Sequence, residues 1–156
     1  MVRHAEKAAA NADGSSGFPA SDPPLSQAGT ARAELLQEKL TGKKIGHIFS
    51  TKYKRTLSTA QPLAESEKLQ VQLYHPHPDS LQDFILKLQA IRKGNVLVVG
   101  HSNTVDDIIN KFTGKTHIPA DLPDTEYDNI FIITRKGSGL TFKREKYGDP
   151  VGADKK

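Results

Sequence analysis

Cysteine is absent from the 156 residues, which excludes disulfide cross-links, thiol nucleophiles and Cys-ligated zinc. The redox compartment is left open by this, since reducing and oxidising locations both tolerate a chain without thiols. Tryptophan is absent as well and aromatic residues make up only 6%, leaving few platforms on which bases could stack. No apolar run approaches the ~18–20 residues that a membrane helix needs, so no membrane partner is expected. Nor does a charged segment followed by an apolar stretch mark a signal peptide. Met1-Val2 leads straight into Arg3-His4, short of the ~5–6 residues of an ordinary strand. A natural start and a chain trimmed of its first strand or of a signal peptide both fit that beginning. The compartment, cytoplasmic or periplasmic/secreted, stays open with it.

Lys and Arg number 22 against 18 Asp and Glu, a formal net charge of +4. That balance suits an anionic partner. The basic residues are scattered, so nucleic acid is not expected, and a phosphorylated small molecule or phosphoprotein is the better match. Hydrophobic residues, at 36%, suffice for one core. One domain over residues 1–150 with a flexible tail at 151–156 is the expected organisation.

Residues 8–24 are rich in Gly, Pro, Ser and Asp and read as a long loop. Ser26 is placed to cap a helix running to about Leu40, with Ala28, Ala31, Leu35, Leu36 and Leu40 on its apolar stripe. Ile45–Ser50 predicts a strand. A helix from about Tyr53 to Lys68 follows, with Leu57, Ala60, Leu63 and Ala64 inward and a kink or early break expected at Pro62. Val71–Tyr74 predicts another strand, closed by His75-Pro76-His77-Pro78. Ser80 to about Arg92 is an amphipathic helix through Leu81, Phe84, Ile85, Leu88 and Ile91. Asn95–Gly100 is a continuous apolar run typical of a sheet covered on both faces. A helix over Asn103–Phe112, a loop over Ile118–Asp128, and a hairpin of Ile130–Thr134 and Leu140–Arg144 around Lys136-Gly137-Ser138-Gly139 complete the chain. The fold class is therefore α/β: a three-layer α/β/α sandwich whose sheet is mostly parallel, with an antiparallel hairpin at one edge.

In open α/β sheets ligands bind beyond the carboxyl ends of the strands. Arg3-His4, Ser50–Arg55 and His101 all fall there, bringing two His and two Arg to one sheet edge. Any one of them alone reads as ordinary surface or core. Together they suit a phosphoryl group: guanidinium forks match its oxygens and keep their charge. A neutral imidazole can attack phosphorus, and a second can hydrogen-bond the oxygens where charge develops. The arginines already supply a positive field, so neither metal nor other cofactor is expected. The helix opening near Asn103 adds backbone N–H donors.

These residues lie in recognisable motifs. Val2-Arg3-His4-Ala5-Glu6-Lys7 resembles the Arg-His-Gly signature of the histidine phosphatase superfamily, which includes the phosphoglycerate mutases. Pro24–Ala33 resembles its Leu-Thr-x-x-Gly-x-x-x-Ala segment, and Ile48–Ala60 its Ser-x-x-x-Arg-Ala-x-x-Thr-Ala motif. Val98–Thr104 resembles the second-histidine motif. The four arrive in family order. The resemblance implies the family's α/β/α sandwich, His4 as a phosphorylated nucleophile, and Arg3, Arg55 and His101 as the rest of the phosphate pocket. Ser102, Asn103 and Glu6 are further candidates for substrate contacts. Glu126-Tyr127-Asp128-Asn129 also looks like small members of the family, with Tyr127 expected to pack and Asp128 to serve a turn or rim.

Two departures stand out. Ala5 occupies a position where Gly is usual, and no Glu appears where mutases carry their general acid. His77 or Asp79 is a candidate acid, Glu6 a weaker one, although His77 and Asp79 could equally form the turn and cap a helix. Only about 45 residues separate Arg55 from His101, so the chain resembles the small phosphatases of the superfamily, including the phosphohistidine phosphatases. A phosphatase acting through phosphohistidine on His4 is the expectation. A mutase-type phosphotransferase and a non-catalytic phosphate- or phosphoprotein-binding module are the alternatives. The loops Asn11–Pro24 and His117–Asp128 are expected to flank the mouth.

Overall fold

A computed structural model describes residues 1–11 and 13–148; the expected tail at 151–156 lies outside the described residues. Strands and helices alternate: β1 (Val2–Arg3), α1 (Gln27–Leu40), β2 (Ile45–Ser50), α2 (Lys54–Glu67), β3 (Val71–Leu73), α3 (Pro78–Ala90), β4 (Asn95–Gly100), α4 (Val105–Thr113), then the hairpin β5 (Asn129–Lys136) and β6 (Gly139–Lys146). They form one six-stranded sheet in the order β3-β2-β4-β1-β5-β6. The first four strands are mutually parallel, and β1 meets β5 antiparallel. The expected architecture holds.

Alternation along the strands sorts side chains between the two faces. Ile48 of β2, Leu97 and Val99 of β4, and Val2 join Leu36 of α1 and Ala60, Leu63 and Ala64 of α2. The residues between them, Phe49 and Val98, join Leu81, Phe84, Ile85 and Leu88 of α3 and Ile108 of α4 on the other face. Each such large side chain contributes roughly 1.5–3 kcal/mol when fully buried. A third cluster joins Val105 and Ile109 of α4 to Phe131 of β5, with Ile118 and Leu122 from the intervening loop. The layers follow from the pattern.

In β1, Val2 pairs with Val99 on one side and Ile130 on the other, and Arg3 pairs with Gly100. The hairpin is longer than predicted and turns through Gly137-Ser138, with Gly137 at φ 59° in the position a type II′ turn reserves for glycine.

Several local expectations change. Helix α1 is rotated: Ala28 and Ala31 are exposed, and the buried face carries Gly29, Arg32, Ala33 and Leu36. Helix α2 runs through Pro62 without an early break. The carbonyl that Pro62 leaves unbonded, four residues back on Ser58, belongs to an exposed residue that water can serve. Helix α3 starts two residues early, with Pro78 in its first turn, where a missing N–H costs nothing. Helix α4 starts at Val105, after a turn through Ser102–Thr104.

Candidate active site

The carboxyl ends of β2, β4 and β1 lie side by side, because these strands are neighbours in the sheet. The chain leaving β1 is fixed in three directions. His4 N–H donates to the Gly100 carbonyl at 2.8 Å, and Ala5 N–H donates to Thr59 Oγ1 of α2 at 2.9 Å. Helix α1 then closes on Glu6, whose carbonyl accepts from Ser26 N–H at 2.9 Å. The approach is so close that a Cβ at Gly29 would lie 2.1 Å from the Glu6 carbonyl oxygen. Only glycine fits there. The methyl of Ala5, by contrast, is accommodated: the residue is fully buried.

His4 and His101 are both buried, with ring centroids 5.5 Å apart in an edge-to-face arrangement. Nδ1 of His4 lies 2.7 Å from the Ala5 carbonyl. A carbonyl only accepts, so Nδ1 carries the proton and Nε2 keeps its lone pair. Burial lowers the His4 pKa to about 3; the Ala5 hydrogen bond opposes this, and the charges of Arg3, His101 and Arg55 add to it. Burial likewise lowers His101 to about 4, helped by Arg55, Arg3 and Lys7. Both rings are neutral near pH 7 and hold their unprotonated nitrogens ready.

The arginines flank them. Arg3 Nη1 donates to the carbonyls of Pro123, Asp124 and Glu126 at 3.1, 3.1 and 2.9 Å. Its guanidinium carbon sits 4.0 Å from the centroid of the Tyr127 ring. Burial lowers the Arg3 pKa, though a guanidinium retains its charge in proteins. Arg55 stacks on Tyr53 at 4.6 Å, and Tyr53 meets the His101 ring edge-on at 5.3 Å. The Nε atoms of both Arg3 and Arg55 are buried and have no hydrogen-bond partner among the described residues. Two such donors on two cations would be costly unless an anion takes them.

The remaining candidates are placed elsewhere. Glu6 is bound by Arg32, whose Nε and Nη2 lie 2.9 Å from its carboxylate in a mostly buried pair, so it is not free for substrate or proton transfer. His77 caps α3 by accepting from Asp79 N–H at 3.2 Å, and both residues are exposed beyond the sheet-edge strand β3. The capping alternative is the one observed, and among the described residues neither forms a hydrogen bond or ion pair with the two histidines or the two arginines. Ser102 and Asn103 form the turn into α4. The Ser102 carbonyl accepts from Leu122 N–H at 2.8 Å, and Asn103 is exposed.

Tyr127 was expected only to pack, yet its ring lies 6.0 Å from that of His4 as well as over Arg3. Its place in the stretch Glu126–Asn129 was the available signal. Asp128 accepts from Lys146 Nζ at 2.9 Å, a rim contact as expected. Of the two loops, residues 21 and 22 of the first reach the site's margin: Asp22 Oδ1 accepts from Lys54 N–H at 2.9 Å, capping α2 from outside.

The model of the histidine phosphatase superfamily (branch 1) matches residues 1–75. Among curated protein sequences there is no significant match. Solved structures do match in shape. The protein histidine phosphatase SixA, solved with tungstate, superposes with a TM-score of 0.67 at 20% identity over 93% of this chain and 94% of its own. Phosphoserine phosphatase from Entamoeba histolytica, solved with 3-phosphoglyceric acid, gives a TM-score of 0.61 at 13% identity over 95% and 94%. At these identities the likeness is one of fold. The chain thus carries the sequence signature of the histidine phosphatase superfamily over residues 1–75 and shares the fold of its solved phosphatases over nearly its whole length.

Proposed function

We propose that this chain is a phosphatase that hydrolyses a phosphomonoester or phosphohistidine through a phosphohistidine intermediate on His4. One observation carries the reading: the unpartnered, buried Nε donors of Arg3 and Arg55 beside a neutral histidine whose Nε2 lone pair is free. The guanidiniums hold the phosphoryl oxygens, and His4 Nε2 attacks phosphorus in line as the bond to the leaving group breaks. Water then attacks phosphorus as the N–P bond breaks, releasing phosphate and restoring the imidazole. His101 is the second imidazole of the same cluster.

Glu6 is held by Arg32, and no carboxylate makes a hydrogen bond to either histidine among the described residues, which favours substrates whose leaving group departs without strong acid assistance. A phosphoramidate such as phosphohistidine is of that kind, and SixA is named a histidine phosphatase. The test is hydrolysis of p-nitrophenyl phosphate and of phosphohistidine with a chelator present. The parent is expected to turn over, and His4→Ala to bind phosphate but not hydrolyse. Turnover retained in His4→Ala would exclude the assignment.

A further inference from the structure

The edge of the sheet opposite the candidate active site carries an unbalanced charge. Three dibasic pairs arrive there from distant parts of the chain: Lys43-Lys44 before β2, Arg92-Lys93 before β4, and Arg135-Lys136 at the end of β5. Backbone contacts hold the first two side by side. Asn95 N–H donates to the Lys44 carbonyl at 3.0 Å, and Asn95 Nδ2 to the Lys43 carbonyl at 2.6 Å. Because β5 runs antiparallel to β1, its far end returns to this edge, where Arg135 Nη1 lies 3.4 Å from the Gln89 carbonyl at the end of α3. Strand spacing sets the row at roughly 14 Å, three intervals of about 4.8 Å.

All six side chains are exposed, and among the described residues none is in an ion pair. Glu65 and Glu67, at the end of α2, pair with none of them. The cations of β6 differ: Lys143, Arg144 and Lys146 are paired with Glu145, Glu126 and Asp128. Cations after α1 and α3 suit the carbonyl ends of those helices, but Arg135-Lys136 ends a strand and has no such reason. Lys44 keeps its charge at φ 57°, a conformation that glycine or asparagine adopts more easily. Between Arg92 and Arg135 opens a cleft of about 340 Å³ with Phe112 and Leu140 in its lining.

We propose that this edge is a docking surface for an acidic segment of a partner protein, with Arg92 and Arg135 gripping carboxylates and the cleft between them taking an apolar side chain. Guanidinium forks match carboxylates, and about four extended residues at ~3.3 Å each cover the row. The apolar lining set between cations selects this partner over a nucleic acid or an anionic bilayer, which offer phosphates and no protruding apolar side chain. The six residues of β4 put the surface roughly 17 Å from His101, so a docked partner leaves the candidate active site open. Docking here does not depend on the phosphatase reading.

The test is fluorescence anisotropy, at low ionic strength, of a labelled peptide in which one leucine is flanked by four glutamates on each side. The full chain is expected to bind it, and added salt to weaken the binding. Arg92→Glu with Arg135→Glu turns two attractions into repulsions and should weaken binding about tenfold or more. Lys43→Glu with Lys136→Glu should weaken it several-fold. Those two lysine side chains make no hydrogen bond or ion pair among the described residues, so this variant decides should the first fail to fold. Serine in place of the leucine should cost the peptide several-fold in affinity. No binding by the parent, or binding unchanged in the folded variants, would overturn the proposal. Equal affinity for the leucine and serine peptides would overturn the choice of a protein partner, as would tighter capture of duplex DNA or phosphatidylserine vesicles through the same cations.

Discussion

The two loops expected to flank the mouth have similar turn-forming composition and are held in opposite ways. Residues 118–128 are anchored by Ile118 and Leu122, which sit in a core cluster with α4 and Phe131. From that anchor the loop turns its backbone carbonyls inward onto Arg3. None of the described residues of 8–24 joins a core cluster, although Pro23 near its end is buried and Phe18 half-buried. They are pinned at the base, where Lys7 pairs with Leu25 and Ala8 N–H reaches the Pro24 carbonyl, and at Asp22. Between those points the loop satisfies its polar groups locally, as where Asp13 accepts from Ser15. Ile118 and Leu122 make one loop part of the site's wall, whereas the other is fixed chiefly by contacts at its two ends.

Acid is the strongest lever on what both loops enclose. His4 and His101 have their pKa lowered by burial, to about 3 and about 4, against about 6.5 when unfolded. The unfolded chain therefore binds more protons below pH ~6.5, and stability falls as pH drops from there toward 4. Each histidine accounts for about 1.4 kcal/mol per pH unit in that window. Denaturant titrations should show His101→Asn with a slope shallower by that amount, and an unchanged slope would mean the ring is not buried neutral.

Breaking the anchored loop comes next. Leu122→Ala should cost about 2–5 kcal/mol by denaturation and lower phosphatase activity further than the unfolded fraction explains, because Arg3 loses its carbonyl cage. On the tethered loop the effects shrink. Asp22→Ala removes the cap of α2 and should cost about 1 kcal/mol, with a modest rise in KM from the loosened margin beside Arg55. Gly17, exposed and with open space where a Cβ would go, should accept alanine within about ±0.5 kcal/mol. A large loss there would show this loop to be packed after all.

The strands, and the gathering of Arg3, His4, Arg55 and His101 at one sheet edge, were legible because both are written in side-chain identity: apolar runs mark the sheet, and charged or imidazole groups fall beyond its strand ends. The partners of Arg3 were not, since backbone carbonyls leave no trace in residue type. The face of α1 was misjudged for a related reason. Ala28 and Ala31 look buried by pattern, but Gly29 and Arg32 turn inward, Gly29 against the Glu6 carbonyl and Arg32 onto the Glu6 carboxylate. Thr51 lies within the Ile48–Ala60 motif, and only the fold brings it against His101, fifty positions away. Tyr127 was visible in its motif, and only the fold could set its ring beside His4.

The two-residue strand β1 also bears on how the pocket comes into being. Its neighbours are residues 99–100 on one side and residue 130 on the other. On a ribosome adding about 5–20 residues per second, His4 must wait many seconds for its first neighbour and longer for its second. Sheet pairings this distant in sequence are also slow to close. The region around β2 and α2 can assemble early, whereas β1, and His4 with it, is docked among the last elements. The cluster of two histidines and two arginines is thereby completed only when the β5–β6 hairpin is in place.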